Sequence, residues 1–252
     1  VNNNQPSLSE LSAVDQRIDS LQIVRGNPLL QPYTSYQVNL SGEARKGIFT
    51  ANLWSSYEYR PKAIMDEKFV EGNRIINTFD NQKSWQRLSV ETTLKVKPLK
   101  DLLQVSATGG VNHYLSDGNT YNHEYTNWFY RGDLSFVYKK VMLAFQIQSN
   151  WNWFWGENVY GGENYHLLQA KYNMKNCSIG LGVFNPFSDN YKVVNENWSQ
   201  HASIKKANYI NESSRLVMVQ FSWNLSFGRK YASAQKKLQN SDSDSGIVTN
   251  SK

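Results

Sequence analysis

Four histidines (His113, His123, His166 and His201) and one cysteine, Cys177, are the residues of this 252-residue chain best suited to hold a metal or act as a nucleophile. His113 and His123 flank one short segment and could approach each other, but a zinc site needs at least a third ligand and none is spaced to supply it. Asp242 and Asp244 before Gly246 have a faint likeness to a calcium loop, yet the bidentate acid that should follow is absent. A lone cysteine forms no internal disulfide and no thiolate zinc site. The chain has no Gly-rich phosphate loop, no Gly-x-Ser-x-Gly elbow and no His-Glu-x-x-His. These residues therefore predict a protein that is not an enzyme and carries no cofactor or metal. The net charge of +6 raises the question of nucleic acid. The basic residues fall on turns, however, with no basic helix and no stacking motif, so no nucleic-acid partner is expected.

The side chains with binding chemistry are aromatic and charged. In "SNWNWFWGENVYGG" (149–162), Trp151, Trp153 and Trp155 occupy alternate positions. Three readings fit: a girdle at a membrane interface, a platform on which sugar rings stack, or a plain core. The girdle is preferred, because an indole at that border keeps its ring apolar and its N–H wet. Trp128 and Tyr130 reach the same height on the preceding strand, and Tyr138 marks the opposite border. Arg87, Glu91, Arg131 and Asp133 lie on the polar faces of their strands and predict a lumen, since facing lipid would be costly. Pairing across strands is the favoured reading for these four, with a contact to a plug as the alternative. Tyr121, Tyr125, Tyr160 and Trp198 stand in loops as ligand contacts, and the sequence does not separate that role from self-packing.

What must position these residues is a set of long strands. Val141, Leu143, Phe145 and Ile147 alternate with Met142, Ala144, Gln146 and Gln148, and the row then runs on into the three indoles. The same period of two marks 87–96, 103–111, 127–138 and 216–227, and more weakly 35–42, 47–59, 164–174 and 177–184. About nine strands result. Tight connections at 44–47, 98–101, 139–140 and 175–176 alternate with long polar ones near 60–83, 116–123, 156–163 and 185–212. Short turns on one rim and long loops on the other predict an all-β, antiparallel transmembrane β-barrel, here partial, with short periplasmic turns and long extracellular loops. Arg45, Lys46, Lys95, Lys97, Lys100, Lys139, Lys140, Lys171, Lys175, Arg229 and Lys230 collect on the tight-turn rim. They have two readings, anionic lipid headgroups or ordinary solvated turns.

Three segments resemble a known family. "RGNPLLQPYTSYQVNLSGE" (25–43) is similar to the Gly-Asn-Pro-x-Leu-x-Pro segment of TonB-dependent outer-membrane receptors, matched by Gly26, Asn27, Pro28, Leu30 and Pro32. "GVFNPFSDNY" (182–191) resembles the Asn-Pro-Phe loop near the end of related Bacteroidota β-barrels, and "VMVQFSWNLSFGRKY" resembles their closing strand. The resemblance implies an extracellular segment over 1–32, barrel strands over 33–228 and a polar periplasmic tail over 229–252. It implies a piece of a larger barrel in the outer membrane, completed by an N-terminal half and a plug, driven indirectly by the TonB system to import a small nutrient ligand. It also implies that Phe221, Trp223, Leu225 and Phe227 form the insertion signal read by the barrel-assembly machinery. A passive pore or structural surface barrel is the first alternative, and a soluble β-rich carbohydrate-binding module the second.

Overall fold

The computed structural model describes residues 1–188, 191–210 and 214–225. Numbered along the chain, the first strands are β1 (Asn2–Asn4), β2 (Gln16–Arg17), β3 (Gln22–Val24), β4 (Tyr33–Lys46) and β5 (Phe49–Pro61). A hairpin of β6 (Ile64–Glu71) and β7 (Arg74–Asn81) follows, then β8 (Ser84–Val96), β9 (Leu103–Asp117), β10 (Asn122–Tyr138) and β11 (Val141–Gln148). Next come β12 (Trp153–Trp155), β13 (Asn158–Tyr160), β14 (Tyr165–Asn173), β15 (Cys177–Phe184), β16 (Tyr191–Asn197), β17 (Ile204–Ile210) and β18 (Leu216–Trp223).

Nine long strands and the short β1 form one antiparallel sheet in the order β1-β4-β5-β8-β9-β10-β11-β14-β15-β18. Its two ends are not joined, so the described wall is open. The tight connections hold their rim: Gly47 takes a left-handed φ of 58° between β4 and β5, and Lys139 one of 52° between β10 and β11.

The register sorts the side chains into two faces. Val38 stands beside Tyr57, Tyr57 beside Leu88, and Leu134 beside Val105 and Phe145. Leu181 lies beside Ala170 and Val219. The other face sets Ser56 beside Ser89, Ser89 beside Asn112, and Asn112 beside Asn127. Exposure runs opposite to the usual rule. Val38 and Val219 are 69% and 73% exposed, whereas Ser56 and Asn112 are 1% and 2%. Contiguous bare aliphatic surface on this scale marks a contact with lipid or another protein. The apolar sides do not pack on one another as they would in a sandwich.

The long connections differ from the expectation of open loops. Residues 118–121 make a short turn between β9 and β10, and the other three connections fold into two small sheets. One runs β2-β3-β7-β6 and contains a parallel pair, β3 with β7; the other runs β12-β13-β16-β17. Together they make a cap that lies on the polar face at the long-connection rim. The Gly-Asn-Pro segment pins the start of the chain to this cap. The Gly26 amide donates to the Ser12 carbonyl at 2.8 Å, and the Asn27 side chain to the Phe79 carbonyl at 3.1 Å. A Cβ on Gly26 would lie 2.5 Å from the Glu10 carbonyl oxygen, so the approach requires glycine.

Candidate functional site

Where cap meets wall, β8 and β9 send Trp85 and Tyr114 from the polar face into a core completed by Ala63, Met65, Phe154 and Val159. Trp85 is fully buried, and its indole N–H donates to the Phe154 carbonyl at 3.1 Å. Its ring lies 5.4 Å from Trp153 and 5.1 Å from Trp155. Two guanidiniums press against these rings, Arg60 at 5.0 Å from the Trp155 centroid and Arg87 at 5.1 Å from that of Trp153. Both share one buried carboxylate. Glu58 receives Arg60 Nη2 at 2.6 Å and Arg87 Nη2 at 3.0 Å. One acid holding two bases leaves a net positive charge, fixed by aromatic walls.

The cap has its own polar lock. Lys68 Nζ donates to Asn197 Oδ1 at 2.9 Å, Asn197 Nδ2 to Asn158 Oδ1 at 2.6 Å, and Asn158 Nδ2 to Asp66 Oδ2 at 2.6 Å. The ammonium has no acceptor and the carboxylate no donor, so the two ends fix both amides. This row ties β6 to β13 and β16, joining the two cap sheets. Burial raises the Asp66 pKa above its ordinary value, against the opposing hydrogen bond from Asn158. Burial lowers that of Lys68, against the attraction of Asp66 and Glu157. Beside it, buried Glu157 lies 3.4 Å from His123 Nε2. Among the described residues no three potential ligands gather for a metal. His113 bonds Thr126 across the apolar face while His123 turns to the polar one, so the two do not converge.

The indoles of 151–155 do not form the expected girdle. β11 ends at Gln148, and the Ser149 amide donates to the Tyr130 carbonyl at 2.9 Å. The chain then turns onto the polar side. Trp151 stacks on Phe129 with centroids 4.9 Å apart and rings within 6° of parallel, and Phe129 itself lies across Gly110 on the polar face. Trp153 and Trp155 join the cap core. Alternation counted through 141–155 crossed a break in the strand, and the phase beyond it carried no information.

Trp128, Tyr130 and Tyr138 are on the apolar face. Trp128 and Tyr130 are exposed near the cap rim, and Tyr138 is exposed at the tight-turn rim beneath Lys139 Nζ, 5.2 Å from its ring. Phe221 and Trp223 are exposed on the same face of β18, and Leu225 follows it; Phe227 lies outside the described residues. Arg87, Glu91, Arg131 and Asp133 are all on the polar face. Arg131 Nη2 approaches Glu91 at 3.6 Å, and Asp133 accepts from Ser106 at 3.1 Å and Gln146 at 3.2 Å. The loop aromatics separate. Tyr121 is buried and stacked on His123 at 5.1 Å, and Tyr125 and Trp198 pack on Phe154. These three serve the cap core rather than offering open ligand surface, because the segments carrying them fold. Tyr160 is exposed.

Sequence reasoning missed Trp85, Glu58, Arg60, Asp66, Lys68, Asn158 and Asn197. The alternation Trp54, Ser56, Glu58, Arg60 was the available signal for the shared carboxylate; nothing local announces the amide row. The bare apolar face, the polar face covered at its cap end and the split between short and folded connections are those of a wall set in hydrocarbon. Among the described residues no helix is long and apolar enough to cross a membrane, which says nothing of strands. No curated protein and no solved structure matches the chain. Residues 2–223 match the model of the outer membrane protein beta-barrel family, and the chain belongs to that family and to the outer membrane.

Proposed function

We propose that this chain is the C-terminal part of the wall of a TonB-dependent receptor that imports a nutrient across the outer membrane of a Bacteroidota-type cell. One observation carries the reading: the wall is open at both β4 and β18, and it already bears a folded cap over its polar face. β1 covers only Tyr33–Ser35 of β4, leaving the longer part of that strand without a partner on that side among the described residues. Long unpaired edges do not persist in lipid, where backbone groups have no water to bond. The N-terminal half of a larger barrel would pair them, and a plug would stand against the polar face beneath the cap. The apolar face would meet outer-membrane lipid, the barrel-assembly machinery would insert the wall, and β18 would carry its signal. The cap, with the exposed Tyr160 at its surface, would meet the small nutrient ligand.

A passive pore is the second reading. It is favoured by the tight-turn half of the polar face, where Arg45, Lys95 and Lys97 stand exposed with no cap element over them. The readings separate when the native protein is isolated through an antibody against this chain. Receptor function expects a longer polypeptide with little steady conductance in a planar bilayer, and nutrient uptake that a protonophore abolishes. Steady conductance by a protein no longer than this chain, with uptake indifferent to the protonophore, would overturn it.

A further inference from the structure

At the tight-turn rim the polar face opens into a cavity of about 520 Å³. Arg45, from the end of β4, Lys95, from the end of β8, and Lys97 and Lys100, from the β8–β9 connection, line it with a single acid, Glu43. Glu43 is already bonded to Arg45 at 2.6 Å. Among the described residues no carboxylate pairs with Lys95, Lys97 or Lys100, so the basin holds a surplus of three positive charges. Asn52 and Gln104 add amides to its wall.

Register decides what these cations can meet. Arg45 stands beside Thr50, Thr50 beside Lys95 and Lys95 beside Ser106, all in one row of the polar face. The neighbouring row, Lys46, Phe49 and Val96, belongs to the apolar face. Lipid headgroups lie against the apolar side, so of this cluster Lys46 is placed for them and the basin is not. An exposed lysine gains only about 1 kcal/mol from one carboxylate in water. A single small anion would therefore be held weakly. A chain bearing several carboxylates engages all three elements at once, and the amides suit its backbone groups.

We propose that this basin docks an acidic peptide segment of a partner protein, presented at the tight-turn rim. The proposal needs the wall and its register, and stands whether or not energy coupling does. The test uses the native protein purified in detergent micelles, with a fluorescein-labelled oligoglutamate peptide followed by anisotropy. The variant K95Q/K97Q/K100Q is compared with K139Q/K140Q/K175Q, which removes the same charge from the same rim outside the basin. Binding should weaken about tenfold or more in the first and by less than about twofold in the second. Equal losses in both would reduce the effect to net charge and overturn the proposal, as would no binding by the unaltered chain. Displacement by phosphatidylglycerol in the micelle, lost only in the basin variant, would reassign the basin to lipid. Displacement by inorganic phosphate at low concentration would reassign it to a small anion.

Discussion

In the wall, Ser56 and Asn112 are covered while Val38 and Val219 are bare; in the cap, Met65, Ile76 and Phe154 are covered in the ordinary way. One chain thus follows two opposite burial rules within one molecule. The wall is stabilised by strand pairing and by a face left for hydrocarbon, and the cap by water-driven burial of apolar side chains. Trp85 belongs to both, rooted in β8 and enclosed by the cap. A tryptophan in this chain cannot be assigned to lipid or to core by its type, only by which side of a strand it leaves.

The largest effect should come from that shared residue. Trp85→Ala empties the junction and removes the ring that Arg60 and Arg87 lie against, at a cost of about 3–5 kcal/mol. Reversible urea unfolding from lipid vesicles would measure it, and a loss below about 1 kcal/mol would mean that cap and wall are energetically separate. Next comes a charge placed on each face of the wall. Leu134→Arg, amid Val105 and Phe145, should cost about 2–4 kcal/mol in the same measurement, and Thr93→Arg on the polar face far less. Equal costs would erase the distinction between the faces.

The smallest expected effect is on pH and confined to the cap. The raised pKa of Asp66 means that the closed cap binds a proton more readily than the open one. Its contribution is fully present below the ordinary value of 3.8 and is lost as pH rises through the raised value. Lys68 works the other way: its contribution is present above 10.5 and is lost as pH falls through its lowered value. The protection of the Trp198 amide, bonded to the Glu157 carbonyl at 2.8 Å, should accordingly rise on mild acidification once exchange is corrected for its intrinsic pH dependence. Asp66→Asn should flatten that dependence; an unchanged profile would remove Asp66 as its source.

The wall was legible because each strand repeats its pattern many times. Eight or more alternating residues leave little doubt about which face is which, and the tight turns confirm the direction. The cap was not. β12 and β13 have three residues each, too few for a period to show, and β3 finds a parallel partner, β7, across about fifty residues of sequence. The error at 151–155 has the same root. Gln148 and Trp153 sit on opposite sides of a break that no glycine or proline announces. The polar row from Lys68 to Asp66 draws on three separated segments, and asparagine is too common in this chain for Asn158 or Asn197 to stand out.

That row has a sense of direction, like an arrow. Reverse either amide and two hydrogen-bearing groups, or two bare oxygens, would be forced together out of water. The two small sheets therefore have only one way to clasp, and a near miss in their alignment gains nothing. Whatever surface the cap presents outward keeps a single shape because its fastening works in only one orientation.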